Sequence, residues 1–391
     1  MHSRQMPALG KGKKGKGVPL MKIVIAIDSF KGSISSLEAA AAVREGILRV
    51  HPEADITSLP LADGGEGTVD ALIASLGAER VTAKVSGPLG EPVCAEYGLK
   101  DGLAVMEMAA AAGLPLVSAE KRDGISASTY GVGEMISHAL RRGCRRFVMG
   151  IGGSATTDGG MGMLQALGFS FRDKEGNEVG RGAKALADVA SISAENVMPE
   201  LREAEFSIAC DVNNPLCGPR GSAAVYGPQK GLRDVESTDS HMASYARICA
   251  DFTGKDMKDY PGAGAAGGLG FGFLTFLNSS LHSGVDLVLD TVGIDDALTG
   301  ADIAITGEGR IDAQTAMGKA PGGVAKRAKK HGCRVIAFSG CVTDDARSVN
   351  QHGIDAFFPI MRSPVSLEEA LDKNNAFRNL ADTAEQVFRL L

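Results

Sequence analysis

With 391 residues the chain is long enough for two domains or one large one, with an ample core. It has no tryptophan and only 5% aromatic residues, so stacking surfaces for single-stranded nucleic acid are scarce, and a net charge of −6 argues against nucleic acid of any kind. Seven widely spaced cysteines with no C-x-x-C pair read as reduced thiols of a cytoplasmic enzyme, not as a disulfide framework or metal cluster.

Residues 1–20 carry Arg4, Lys11, Lys13, Lys14 and Lys16 and no acid, and are expected to form a disordered basic tail, with folding from Met21 onward. GKGKKGKG at Gly10 to Gly17 imitates the start of a P-loop, but a glycine stands where Ser or Thr should meet magnesium, and no strand precedes it. The apolar run that follows is interrupted by Lys22 and closed by Asp28 without a small-residue cleavage site, so a signal peptide is not expected. No apolar stretch approaches a membrane span.

Strand and helix then alternate. Ile23 to Ile27 reads as a buried strand, followed by a helix capped by Ser35 or Ser36 with Leu37, Ala40, Val43 and Ile47 at helical spacing. Asp55 to Leu59 is a second strand, and Val69, Leu72, Ile73 and Leu76 mark a helix closed by Gly77. The middle differs. Val81 to Val85, Val93 to Tyr97 and Leu103 to Met106 are strands joined by the turn signals GPLG and DG, which predicts hairpins and a mixed sheet. Phe147 to Met149 and Phe206 to Ala209 are further buried strands. Ala301 to Ile305, Val335 to Phe338 and Ala356 to Phe358 restore the alternation, and a last amphipathic helix carries Leu367, Leu371, Phe377, Leu380, Val387 and Phe388. The fold class is therefore α/β. The pattern predicts a Rossmann-like parallel-sheet domain from both chain ends, residues 21–80 and 285–391, with a mixed α/β domain, residues 81–284, inserted between them.

Chemistry-bearing clusters follow the predicted strands, at the sheet edge where open α/β folds bind ligands. GIGGSATTDGG, from Gly150 to Gly160, frees the backbone of Gly152, Gly153 and Ser154 to aim N–H groups at an anion. Asp158 within that run would repel phosphate unless a cation lies between them, so it reads as a metal ligand. DSFKGS at Asp28 to Ser33 offers Lys31 to an oxyanion, against the plainer reading of a helix cap. DGGEGT at Asp63 to Thr68 offers two carboxylates to a cation, or only a polar turn. CDVNNPL at Cys210 to Leu216 sets Asp211 at a strand end as general base or metal ligand, though Asx residues before proline also form ordinary turns. GAGAAGGLG, ending at Gly270, allows Gly267 and Gly268 to approach a phosphate, or only to pack closely; no strand precedes it, which discounts a dinucleotide site. TGEGRID at Thr306 to Asp312, with Lys319 behind it, gathers carboxylates, an arginine and a lysine in one loop, the equipment of phosphoryl transfer.

These motifs, with GPQKG at Gly227 to Gly231 and GKAP at Gly318 to Pro321, resemble in order those of the bacterial-type glycerate kinase family, from about Met21 to the C-terminus. One departure is Thr157, where that family more often carries asparagine. The resemblance implies ATP-dependent phosphorylation of D-glycerate with Mg²⁺, 2-phosphoglycerate favoured as product, in a cleft between two α/β domains. It implies small-molecule partners, no nucleic acid and no membrane, and leaves room for a homodimer. Within that frame Lys31 and Lys319 take phosphate charge, Gly152, Gly153, Ser154, Gly267 and Gly268 approach the nucleotide, and Asp158 and Asp312 hold the metal. Asp211 is the first choice as base with Glu308 behind it, and Arg310 pairs with the substrate carboxylate. The rival readings are a kinase of another small hydroxy acid, a nucleotide-linked oxidoreductase and a non-catalytic sensing module.

Overall fold

The computed structural model describes residues 20–62 and 67–391; the basic tail, the imitation P-loop and Asp63 to Glu66 lie outside them. Two sheets organise the chain. One is parallel and five-stranded, in the order β13-β12-β11-β1-β2, from β1 (Lys22–Ile25), β2 (Asp55–Ser58), β11 (Ile303–Ile311), β12 (Arg334–Val342) and β13 (Ala356–Pro359). The other is mixed and six-stranded, in the order β10-β9-β6-β5-β4-β3. Its antiparallel arm is β3 (Glu79–Ser86), β4 (Pro92–Lys100) and β5 (Leu103–Glu107), and parallel pairing continues through β6 (Arg146–Gly150), β9 (Glu205–Ala209) and β10 (Ser279–His282). A small hairpin, β7 (Ser170–Arg172) with β8 (Ser191–Ser193), stands apart. The strands of the mixed sheet run from residue 79 to residue 282, so β3 begins two residues before the segment expected to be inserted.

Side-chain alternation shows how the layers form. Ile23 and Ile25 face an outer layer made by α1 (Ser36–Leu48) and α13 (Lys373–Phe388), beside the short α12 (Leu367–Leu371). Val24 faces the opposite way, into a middle layer of α2 (Thr68–Leu76), α9 (Gly284–Thr291), α10 (Ile294–Leu298) and α11 (Ala320–Lys330). That layer is shared, because Val105, Val148 and Ala209 of the mixed sheet enter the same apolar cluster. The far face of the mixed sheet, with Met106, Phe147, Met149 and Phe206, packs on the remaining helices. These are α3 (Ala109–Ala112), α4 (Tyr130–Arg141), α5 (Met161–Ala166), α6 (Ser222–Tyr226), α7 (Val235–Thr253) and α8 (Ala265–Phe276). Strands covered on both faces need apolar residues at successive positions, which is why the short apolar runs were legible as strands.

Local chemistry agrees with the expected caps. Ser35 closes a capping box on α1, donating to Glu38 and accepting from its N–H, and Gly77 ends α2 in the left-handed region at φ 61°. One element departs from expectation. Thr306 to Ile311, read as a loop, is the second half of β11 and pairs with a lengthened β12, Glu308 opposite Ser339 and Arg310 opposite Cys341. Glycine-rich sequence signals a turn, yet Gly307 lies against the Phe338 carbonyl where a Cβ would overlap it, so close strand approach explains the glycine here.

Candidate active site

The parallel sheet reverses its strand order between β1 and β11: β2 lies on one side, β12 and β13 on the other. The loops after β1 and along β11 meet at that switch point, where a Cβ on Gly309 would lie 3.3 Å from the Lys31 amide nitrogen. The carboxyl ends of β6 and β9 deliver the other wall. Between the walls lies a cavity of about 810 Å³, lined by Gly152, Gly153 and Ser154 after β6, Asp211 after β9, Lys230, and Gln314, Gly318 and Lys319 after β11. A further cavity of about 520 Å³ adjoins it across the Asp211 loop, with Asn213, Tyr260 and His282 in its wall.

The glycine run after β6 has the form of an anion cradle. The chain is held from the other side: the Leu114 N–H donates to the Gly153 carbonyl at 2.8 Å, and the Ala155 N–H to the Ala112 carbonyl at 2.9 Å. None of the described hydrogen bonds uses the N–H of Gly152, Gly153 or Ser154. A Cβ on Gly152 would meet nothing within 4 Å, so the space beside this backbone is open, whereas Gly153 needs its left-handed φ of 71°.

Asp158 does not reach that space. It is fully buried, and its oxygens accept from the Thr129 N–H at 2.7 Å, the Thr129 and Ser128 hydroxyls, and the N–H groups of Gly160 and Gly162 at 3.3 Å. Burial pushes its pKa up, against the pull of the Thr129, Gly162 and Gly160 donors. A carboxylate saturated by donors at the start of α5 has no lone pair to spare for a cation. The expected metal role therefore gives way to a structural one: Asp158 pins the cradle loop to α4 and α5. Gly267 and Gly268 are likewise behind the loop and not in the cavity. Each would overlap backbone if it carried a Cβ, Gly267 on the Thr156 carbonyl and Gly268 on Gly159, and the Gly267 carbonyl accepts from the Gly159 N–H at 2.9 Å. Close packing, and not approach to a phosphate, is what the geometry of these glycines supports. Ala266 beside them, at φ 53°, does line the cavity.

On the opposite wall the charged residues of β11 gather round one lysine. Lys319 Nζ lies 3.2 Å from Asp312 and 3.8 Å from Glu308, while Arg310, with its side chain 63% exposed, reaches Asp312 at 3.4 Å. Burial raises the Glu308 pKa, opposed by a 2.6 Å hydrogen bond from the Thr315 hydroxyl and by the charges of Lys319 and Lys31. Asp312 is held below the usual carboxylate range, because the effect of burial is outweighed by its bond to Lys319 and the Lys319 charge. Glu308 and Asp312 thus hold Lys319 from behind, with Arg310 on Asp312 and the Lys31 charge acting on Glu308; of this set Lys319 alone among the described residues reaches the cavity wall. Asp211 projects from the other side, one carboxylate oxygen accepting from the Gly284 N–H at the start of α9 at 2.8 Å.

Asp312 and Glu308 suit a hard cation. Magnesium takes one or two carboxylates and completes its shell with water and substrate phosphate, and no cluster of three or more His, Cys, Asp or Glu ligands occurs among the described residues.

Lys230 escaped the sequence reading. GPQKG stands out in the sequence as a motif, but nothing in its spacing says where the lysine points. The structure buries it, 3% exposed, with Nζ donating at 2.7 Å to both the Ser154 hydroxyl and the Thr156 carbonyl.

A sequence model of the Glycerate kinase family matches residues 23–391. The chain is 48% identical over 356 residues to a glycerate kinase of Bacillus subtilis, covering 90% of this chain and 93% of that protein. It is 45% identical over 372 residues to the glycerate 2-kinase of Escherichia coli K12, covering 94% and 97% respectively. The crystal structure of a protein from Salmonella typhimurium LT2 described as "putative glycerate kinase 2" superposes with a TM-score of 0.86 at 42% identity, over 95% of this chain and 98% of that one.

Proposed function

The chain belongs to the glycerate kinase family and is a phosphotransferase, and from that premise we propose that it moves the terminal phosphoryl group of ATP to D-glycerate in the cavity between the two sheets. The observation that carries this reading is the meeting of unspent backbone donors, Lys319 and Asp211 around one 810 Å³ space. We take residues 21–80 with 285–391 as one domain and 81–284 as the other, so that the cavity lies at their junction.

Gly152, Gly153 and Ser154 offer N–H groups to phosphate oxygens without an energetic cost of reorganisation, since no protein acceptor has to be released. Lys319 adds positive charge from the facing wall, kept in place by Asp312 and Glu308. Asp312 and Glu308, which stand beside Lys319 behind the cavity wall, would hold magnesium, and the metal would supply positive charge against the terminal phosphates. Asp211 takes the proton of the attacking hydroxyl; its anchor on the Gly284 N–H fixes the carboxylate at the cavity wall. Glu308, turned toward Thr315 and Lys319, ranks behind it. Arg310 is the remaining candidate for the substrate carboxylate, provided the β11 wall moves toward the ligand. The 2-hydroxyl is our choice of acceptor, in keeping with the E. coli relative named glycerate 2-kinase. The unpaired state of all seven cysteines favours a reducing cytosolic setting.

Asp211→Asn tests the assignment of the base. A general base typically contributes 10²–10⁴-fold, so kcat should fall by about that factor with D-glycerate and ATP. A loss under about tenfold removes Asp211 from the role. NMR of the product distinguishes 2- from 3-phosphoglycerate, and the 3-isomer would overturn the choice of hydroxyl.

A further inference from the structure

A lysine ammonium placed almost wholly out of water is costly unless it is paired. Lys230 has no carboxylate in contact. Its two described partners, the Ser154 hydroxyl and the Thr156 carbonyl, are neutral, and both belong to the cradle loop. An ammonium has three N–H groups, so one remains after these bonds, and Lys230 lines the cavity. The charged groups on elements packed around it do not compensate it. Asp158, behind the loop, acts only through space and is saturated by other donors. Arg122 reaches the neighbouring Gln229 carbonyl from the exposed side, Asp123 binds the N–H groups of Ile125 and Ser126, and Asp211 and Lys319 lie elsewhere on the cavity wall. An apolar side chain would serve packing at least as well. The cation is worth its burial only when an anion enters beside it.

We propose that Lys230 is a catalytic residue that contacts a terminal phosphate oxygen of the bound nucleotide, its ammonium steered there by Ser154 and the Thr156 carbonyl. This rests on ATP occupying the cavity. Lys230 then completes the cradle: three backbone N–H groups and one buried cation on the same loop, facing Lys319 across the space. No bond to Lys230 forms or breaks; it stabilises charge that develops on the transferred group.

Binding should then be coupled to a proton. Burial lowers the Lys230 pKa to about 7, with the Asp158 charge opposing the shift. At pH 8 the empty site holds a largely neutral amine, and an arriving phosphate raises the pKa and draws a proton from the buffer. Calorimetric titration of the protein with ATP and Mg²⁺ at pH 8, in buffers of different ionisation enthalpy, counts that proton. Wild type should take up about one, and Lys230→Met should take up none beyond the nucleotide's own share. Lys230→Met should also lower kcat by about 10²–10³-fold with the KM for D-glycerate changed far less. Lys230→Arg, which cannot lose its proton, should bind ATP with an affinity independent of pH between 7 and 9. A loop staple alone would move none of these pH readouts.

Proton uptake unchanged in Lys230→Met, or kcat within threefold of wild type, overturns the proposal. Should that variant not fold, wild type decides alone: ATP affinity and proton count that stay flat from pH 7 to 9 overturn it equally. No ATP binding by wild type would instead overturn the reading of the cavity, and the role of Lys230 with it.

Discussion

Replacing Asp158 by asparagine separates two roles that the sequence alone could not. The carboxylate is fully buried and accepts from two hydroxyls and three backbone N–H groups, of which the Thr129 N–H at 2.7 Å is the shortest contact. Asparagine keeps one acceptor oxygen but turns an NH₂ toward donors that need an acceptor. A hydrogen bond to a charged group contributes about 1.5–3 kcal/mol, and each buried donor left unmade costs about 1–3. With one side of the carboxylate lost, the variant should be about 3–5 kcal/mol less stable. At roughly 2–4 °C per kcal/mol, the melting temperature should fall by about 10 °C. Thermal melting followed by circular dichroism measures this, and the Mg²⁺ concentration for half-maximal rate is measured on the folded fraction. The reasoning predicts a large melting shift with the Mg²⁺ requirement little changed. A melting temperature within about 2 °C of wild type, together with a tenfold higher Mg²⁺ requirement, would refute it and restore Asp158 as a metal ligand.

Two glycines should respond oppositely to alanine. Gly267→Ala forces a Cβ onto the Thr156 carbonyl at a φ of 71° and should cost about 3 kcal/mol, read as a lower urea midpoint; Gly152→Ala enters open space and should leave that midpoint unchanged while weakening ATP binding. Gly152→Ala with wild-type affinity for ATP would argue against the cradle. Thr315→Val removes the hydroxyl that donates to Glu308 at 2.6 Å and so raises the Glu308 pKa further. A carboxyl whose folded pKa lies above its unfolded value contributes most stability below the unfolded value, near pH 4.5, and loses it as pH rises through the folded value. The stability deficit of Thr315→Val should therefore grow from about 1 kcal/mol in acid to about 2–3 at neutral pH, where the lost bond is to a charge; a deficit independent of pH would contradict this.

Much of the architecture is legible in the chain because the strands are buried on both faces. Ile23 to Ile27 or Phe147 to Met149 must be apolar at consecutive positions, and no surface segment has reason to be. The hairpins of the middle segment announce themselves through Gly87-Pro88 and Asp101-Gly102, and the reversal of style there marks the second sheet. What misleads is glycine. At Gly307 it permits strand pairing, at Gly267 and Gly268 close packing, and at Gly152 an open space for a ligand; the residue is the same and only its neighbours differ.

The sequence by itself determined the α/β class, the order of the motifs and the family, since these depend on residue type and spacing along the chain. Which polar groups face the cavity was decided by tertiary structure. Asp158 and Lys230 are 72 positions apart, and neither carries a local signal of burial. Only the folding of the cradle loop against α4, α5 and the turn before Lys230 saturates the one and leaves the other a free N–H. Low dielectric makes that difference large, because a buried charge is fixed by the donors and acceptors within about 3 Å of it and by little that is written nearby in sequence.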